Sequence, residues 1–214
     1  MEKNEFIKKV TPFFVERGFK TLTVDEIGRE FSMSKKTIYN MFSSKKEIVG
    51  LSFDHVLDKY NHFFKFSSEH SDNAVEAFFT LLCLINSYFP YDKQRLNLRQ
   101  MEYYYRKLFD EKMASAQELA KAMFTKFCTK GRLQGLVRED FNLESQAHLF
   151  SVLYIHLLST NYLNPNENYD RTIMDNIEIS IRGVLTMKGF EAFEIAKETS
   201  KSINYKNIIL DNCL

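Results

Sequence analysis

Seven glycines and three prolines in 214 residues leave few places where this chain can break a helix. Apolar residues recur at three- and four-residue spacing over long stretches, and almost nothing alternates at period two. The spacing predicts an all-α protein, because residues three and four apart share one face of a helix. The breaks can be placed one by one. Gly18 suits the position after a helix. Ser32 to Ser34, Ser43-Ser44 and Ser67 to Asn73 interrupt the pattern, and Pro90-Tyr91-Asp92 ends the helix Ala74–Phe89. Gly131 and Gly135 close a long segment that begins near Leu108, and Asn161 to Asn168, with Pro165, forms the last loop. About nine helices follow from these breaks. Three short elements crowd the first 45 residues. The expected division is therefore a three-helix domain over 1–49 and a larger helical domain over 50–214. The helix starting near Lys45 is common to both.

The chain is 44% hydrophobic, enough for a core, and its net charge is only +1. Charge placement says more than the total. Residues 29–46 carry Arg29, Lys35, Lys36, Lys45 and Lys46 against Glu30 alone, so this stretch is +4 and the remainder −3. A basic patch on a near-neutral chain is a local anion site, not a general polyelectrolyte binder. Cys83, Cys128 and Cys213 contain no CxxC pair. Cys83 and Cys128 are read as small buried hydrophobes in preference to thiol sensors. The start, MEKNEFIKKV, is too polar for a signal peptide. The longest apolar run, around Ala77–Ile85, falls short of the ~18 residues a membrane span needs. A cytoplasmic protein with no membrane contact is expected.

Residues 21–49 hold the chemistry. Thr23 followed by Glu26 makes a capping box for a short helix whose apolar face is Val24, Ile27 and Phe31. A tight turn at Ser32-Met33 follows. Ser34 caps the next helix, Lys35 to about Met41, with Ile38 and Phe42 inward and Lys35, Lys36, Thr37 and Asn40 outward. Tyr39 lies at its edge. Two short helices, a tight turn and a basic second helix describe a helix-turn-helix. Such a helix fits the major groove of double-stranded DNA: Lys can reach guanine, Asn can pair with adenine, and Thr can touch a thymine methyl. The N-terminus of the Thr23 helix, and Ser44-Lys45-Lys46 at the start of the fourth, offer phosphate sites. The competing reading is a helical hairpin with a solvated charged side.

The segment resembles the DNA-binding domain of the TetR/AcrR family of bacterial transcriptional regulators. The residues that carry the resemblance are Phe14-Val15-Glu16-Arg17-Gly18-Phe19, Leu22-Thr23-Val24, Ile27, Ser34-Lys35-Lys36-Thr37-Ile38-Tyr39, Phe42, Lys45 and Ile48. It covers roughly residues 5–50 and leaves the rest of the chain matched only in length and helical character. The resemblance implies that Thr23 bonds a phosphate while capping its helix. It implies that Lys35, Lys36 and Thr37 face the groove, and that Tyr39 and Asn40 contact backbone or base. Lys45 would fix a phosphate. Three residues depart from the family pattern. Ser32 stands where a turn glycine is usual, which implies strain of about 1 kcal/mol or a different turn. Gly28 replaces a small alanine. Pro12 either kinks the first helix or restarts it, with Thr11 as the cap.

The larger domain is expected to supply dimerisation and sensing. A helix capped by Asn142 is apolar over most of its circumference, and the next carries Ile173-Met174, Ile177, Ile181 and Val184-Leu185. A helix buried on both sides needs two partners, and a second copy of the chain can be one of them. Leu153, Tyr154, Leu157, Ile177, Ile181 and Val184 are the expected dimer residues. The chain holds 20 Phe and 11 Tyr but no Trp. Phe64, Tyr88, Tyr104, Phe109, Phe124, Phe127 and His148 are candidate walls of a pocket for a small hydrophobic or aromatic effector, against a plain Phe-rich core. His148 and His156 are otherwise core residues with one satisfied nitrogen. Asp58 with His62 gives only two ligands on one helix, short of a metal site. No glycine-rich phosphate loop, GxSxG or HExxH occurs, so neither an enzyme nor a cofactor is expected. Two functions remain: a homodimeric repressor released from a palindromic operator by an effector, or a ligand-independent DNA-binding or protein-interaction factor on the same fold.

Overall fold

The computed structural model describes residues 1–159 and 169–212, without the side chains of 169, 170, 211 and 212. The expected loop at Asn161 to Asn168, and Cys213, lie outside these residues. Eleven helices form among the described residues: α1 (Lys3–Arg17), α2 (Val24–Glu30), α3 (Lys35–Met41), α4 (Lys45–Glu69), α5 (Ala74–Tyr88), α6 (Tyr91–Tyr104), α7 (Arg106–Leu133), α8 (Leu143–Ser159), α9 (Tyr169–Arg182), α10 (Met187–Ser200) and α11 (Tyr205–Asn212). The all-α reading holds, and the count exceeds nine for a local reason. The break between α6 and α7 is the single residue Tyr105, and 201–204 between α10 and α11 contain neither Gly nor Pro. A bridge pairs Val137 with Leu185. Among the described residues no single helix is long and apolar enough to cross a membrane.

The chain forms two compact units, residues 1–58 with 92–115, and residues 59–91 with 116–214. Helices α4 and α7 each contribute to both. In the first unit Phe6, Val10, Phe14, Ile27, Ile38, Phe42 and Ile48 are buried together. The Phe6 ring lies 5.0 Å from Phe42 and 5.3 Å from Phe31, tying α1 to the ends of α3 and α2. Pro12 lies inside α1 without ending it. The Thr11 hydroxyl donates to the Ile7 carbonyl at 2.7 Å, so Thr11 does not cap a new helix. Pro12 is exposed, and water can serve the carbonyl it leaves without an N–H partner. Gly18 ends α1 at φ +86°, in the left-handed region that a glycine adopts without strain.

In the second unit α10 and α11 pack on α5, and α8 lies beside α9. Phe79 of α5 meets Phe193 of α10 edge-on at 5.4 Å. Phe78 stacks on Phe127 at 4.5 Å, and Phe124 stacks on Phe150 at 4.3 Å. Asn142 caps α8, accepting the Ser145 N–H at 2.8 Å. Four of the expected dimer residues, Tyr154, Ile177, Ile181 and Val184, are buried within the single chain. The exposed apolar residues on these helices are Leu149 and Val152 of α8 and Ile179 of α9, while Leu153 and Leu157 are half-buried. The reason is rotational: one residue along a helix turns the side chain by about 100°.

Candidate nucleic-acid interface

Local capping sets the geometry of α2 and α3. The Thr23 hydroxyl accepts the Glu26 N–H at 3.2 Å, and the Glu26 carboxylate accepts the Thr23 N–H and hydroxyl, each at 2.7 Å. These bonds from the Thr23 N–H and then its hydroxyl hold the Glu26 pKa below the usual carboxylate value. At the end of α2, Ser32 adopts φ +52°, and the Met33 N–H closes back on the Gly28 carbonyl at 2.8 Å. A Cβ on Gly28 would sit 2.6 Å from the Met33 carbonyl oxygen, so this turn excludes alanine without a shift. Ser34 then caps α3, its hydroxyl accepting the Thr37 N–H at 3.0 Å. Ile38 is fully buried and anchors α3.

With that anchor set, Lys35, Lys36, Thr37, Tyr39 and Asn40 are all exposed on one short helix. Lys35 is engaged: its ammonium donates to Asp25 at 2.9 Å, which raises the Lys35 pKa. The Thr37 hydroxyl lies 2.7 Å from the Ser34 hydroxyl. Thr23 is exposed at the start of α2. Lys45 is half-buried and donates to the Lys20 carbonyl at 3.3 Å. Burial, then the Lys20 charge, lower its pKa. At the start of α4 the Ser44 hydroxyl accepts the Glu47 N–H at 3.2 Å, and Lys46 is exposed.

Some contributors are invisible to sequence reasoning. The Lys20 ammonium sits 4.4 Å from the centre of the Tyr104 ring, adding a cation beside Lys45. Asn97 and Gln100 of α6 bond the backbone of Phe19 and Lys20 at 3.1 and 2.6 Å. No local pattern marks these α6 residues, because their partners lie about eighty positions earlier in the chain.

The candidate effector residues divide between the two units. Phe124 and Phe127 join a ring cluster of the second unit; Tyr88 and Phe64 belong to the same unit, both half-buried. Phe109 is buried but belongs to the first unit. Tyr104 also belongs to the first unit and is 46% exposed, and His148 and His156 are exposed on α8. None of these three is a core residue: Tyr104 stacks with a surface lysine, and the histidines lie on the exposed side of α8 beside Leu149 and Val152. Burial pushes the Cys128 thiol up to about 12 and the Cys83 thiol up to about 11, which suits buried hydrophobes and leaves little reactive thiolate. Among the described residues no group of three or more His, Cys, Asp or Glu is placed to hold a metal.

Residues 13–50 match the family described as bacterial regulatory proteins, tetR family. The chain is similar to the HTH-type transcriptional regulator HbdR of Aromatoleum sp. (strain CIB), at 36% identity over 58 residues, 27% of this chain and 25% of that protein. It is similar to the biofilm operon icaADBC HTH-type negative transcriptional regulator IcaR of Staphylococcus aureus (strain Newman), at 26% identity over 80 residues, 37% of this chain and 43% of that one. The matches thus span a quarter to under half of these relatives. A solved transcriptional regulator from Cytophaga hutchinsonii ATCC 33406 shares the fold at TM-score 0.69, with 13% identity over 86% of this chain and 99% of that one.

Proposed function

We propose that this chain is a TetR-family bacterial transcriptional regulator, a homodimeric repressor that binds a palindromic operator and leaves it when a small hydrophobic or aromatic effector binds. The observation that carries the DNA-binding part is α3. Its buried Ile38 and its Ser34 cap support a helix whose Lys36, Thr37, Tyr39 and Asn40 are left to solvent. A helix so presented can read base edges, while Thr23, Lys46 and Lys20 meet phosphates.

A palindrome needs two copies. The exposed Leu149 and Val152 of α8 and Ile179 of α9, with half-buried Leu153, supply apolar surface for a two-fold contact. An effector that binds the DNA-incompetent arrangement more tightly shifts the population away from the operator. Helix α4 starts at Lys45 and ends in the second unit, which makes it the lever. The protein acts in the cytoplasm, where its operator is.

The second reading, a ligand-independent DNA-binding factor, draws on the rings stacked at 4.3–4.5 Å, which fill space within the second unit. Selection from a random duplex pool, followed by sedimentation on the enriched sequence, tests the proposal. A palindromic sequence carrying two protomers supports it; no enrichment, or a single protomer on the duplex, contradicts it.

A further inference from the structure

Two hydroxyls of the second unit stand out. Tyr60 Oη, on α4, and Tyr154 Oη, on α8, are buried and have no hydrogen-bond partner among the described residues. A buried polar group without a partner costs free energy, and a native core avoids it unless the group has another use. This chain has an obvious way to avoid it. It uses 20 phenylalanines, and Phe at either position would fill the same space without the hydroxyl. The surroundings are aromatic. Phe63 lies 6.5 Å from Tyr60 and 5.4 Å from Tyr88, and Phe150 lies 6.2 Å from Tyr154 with parallel rings.

The two hydroxyls act on the same region. Burial is the main cause that raises the Tyr60 pKa, and the nearby Tyr154, Tyr91 and Tyr88 raise it further. Burial alone raises that of Tyr154. An ion entering among these rings would lose its water, whereas a neutral donor or acceptor would gain a partner.

We infer that the effector is an uncharged molecule carrying a hydrogen-bonding group on an aromatic or otherwise apolar frame, and that the hydroxyls of Tyr60 and Tyr154 are the groups it bonds. This rests on the effector-gated reading above, and it adds the effector's chemistry and its contacts. A tyrosine hydroxyl both donates and accepts, so a ketone, an alcohol and a phenol all fit. The rings supply the apolar contact area.

The test uses the full chain, the enriched operator duplex and four probes: acetophenone and 2-naphthol, which are neutral at pH 7, and benzoate and benzylammonium, which are not. Thermal shift and operator release are measured for wild type, Tyr60→Phe, Tyr154→Phe and the double variant. The neutral probes are expected to raise the wild-type melting temperature and release DNA, and the charged ones to do neither. The variants are expected to melt at or above wild type without probe, to bind the operator normally, and to respond to the neutral probes at least tenfold more weakly. That pairing separates the roles, since a hydroxyl that merely supported the fold would lower the melting temperature when removed. Variants that respond like wild type overturn the assignment of the hydroxyls. Response to the charged probes alone overturns the effector class and leaves effector gating standing. Response to none of the four, with operator binding intact, overturns this inference, and gating falls with it only if a wider screen of apolar and charged compounds also leaves the operator complex unchanged.

Discussion

The Asn97 side-chain oxygen accepts the Phe19 backbone N–H at 3.1 Å, while the Asn97 amide nitrogen donates to the Lys93 carbonyl at 3.0 Å. A helix nearly eighty residues downstream thereby pins the segment between α1 and α2. Asn97 is almost fully buried, so its loss leaves the Phe19 N–H without a partner. Asn97→Ala is expected to cost about 1–3 kcal/mol in chemical denaturation. Amide exchange at Phe19 and Lys20 should rise in the same variant.

The turn between α2 and α3 gives opposite expectations at two neighbouring positions. Ser32 holds φ +52°, a conformation that glycine adopts freely. Ser32→Gly is expected to stabilise by at most about 1 kcal/mol, because the extra freedom of glycine in the unfolded chain offsets part of the relief. Gly28→Ala should destabilise despite alanine's better helix propensity, since the new Cβ would approach the Met33 carbonyl to 2.6 Å. Melting temperatures of the two single variants check both signs.

The first fifty residues were readable because each instruction there is local. The Thr23–Glu26 capping box, the Ser34 cap, the Gly18 terminus and the α3 bounds follow from residues within four positions of one another. The positive φ of Ser32 lies at one of the three positions that depart from the family pattern. The later helices were readable as helices but not in their orientation. Tyr154, Ile177 and Ile181 sit on stripes that look equally suited to a core or to a second subunit, and only packing assigns them to the core. The exposure of Tyr104 and His148 is hidden for a similar reason, because an aromatic ring does not announce which side of its helix is covered. Nor does any pattern show that Lys45 bends back to the Lys20 carbonyl.

Acid should act on the α2 cap. The Glu26 pKa is held below 4.5 by bonds that need the carboxylate charged. Its contribution to stability is complete above the ordinary carboxylate value and is lost as pH falls through the lowered one. Glu26→Gln should therefore flatten the fall in stability below pH 4.5 relative to wild type. Thr23→Ala should cost about 0.5–2 kcal/mol at neutral pH, as for other helix caps.

Asp25 holds Lys35 in a 2.9 Å ion pair, which under the proposed function DNA would have to break. Exposed pairs of this kind are worth about 0–1 kcal/mol, so Asp25→Ala is expected to tighten operator binding by up to about fivefold. The gain should shrink as salt rises. Fluorescence anisotropy at two ionic strengths measures it, and weaker binding at both would mean that Asp25 serves the interface directly.

The central claim is that the exposed face of α3 reads DNA sequence. The most direct measurement compares wild type with Lys36→Ala and Thr37→Ala on the selected operator and on an unrelated duplex at one salt concentration. Each variant should lose about 1–3 kcal/mol on the operator for each base contact removed and far less on the unrelated duplex. Unchanged operator affinity in both variants, with the fold intact, would contradict the assignment of α3 as the reading helix.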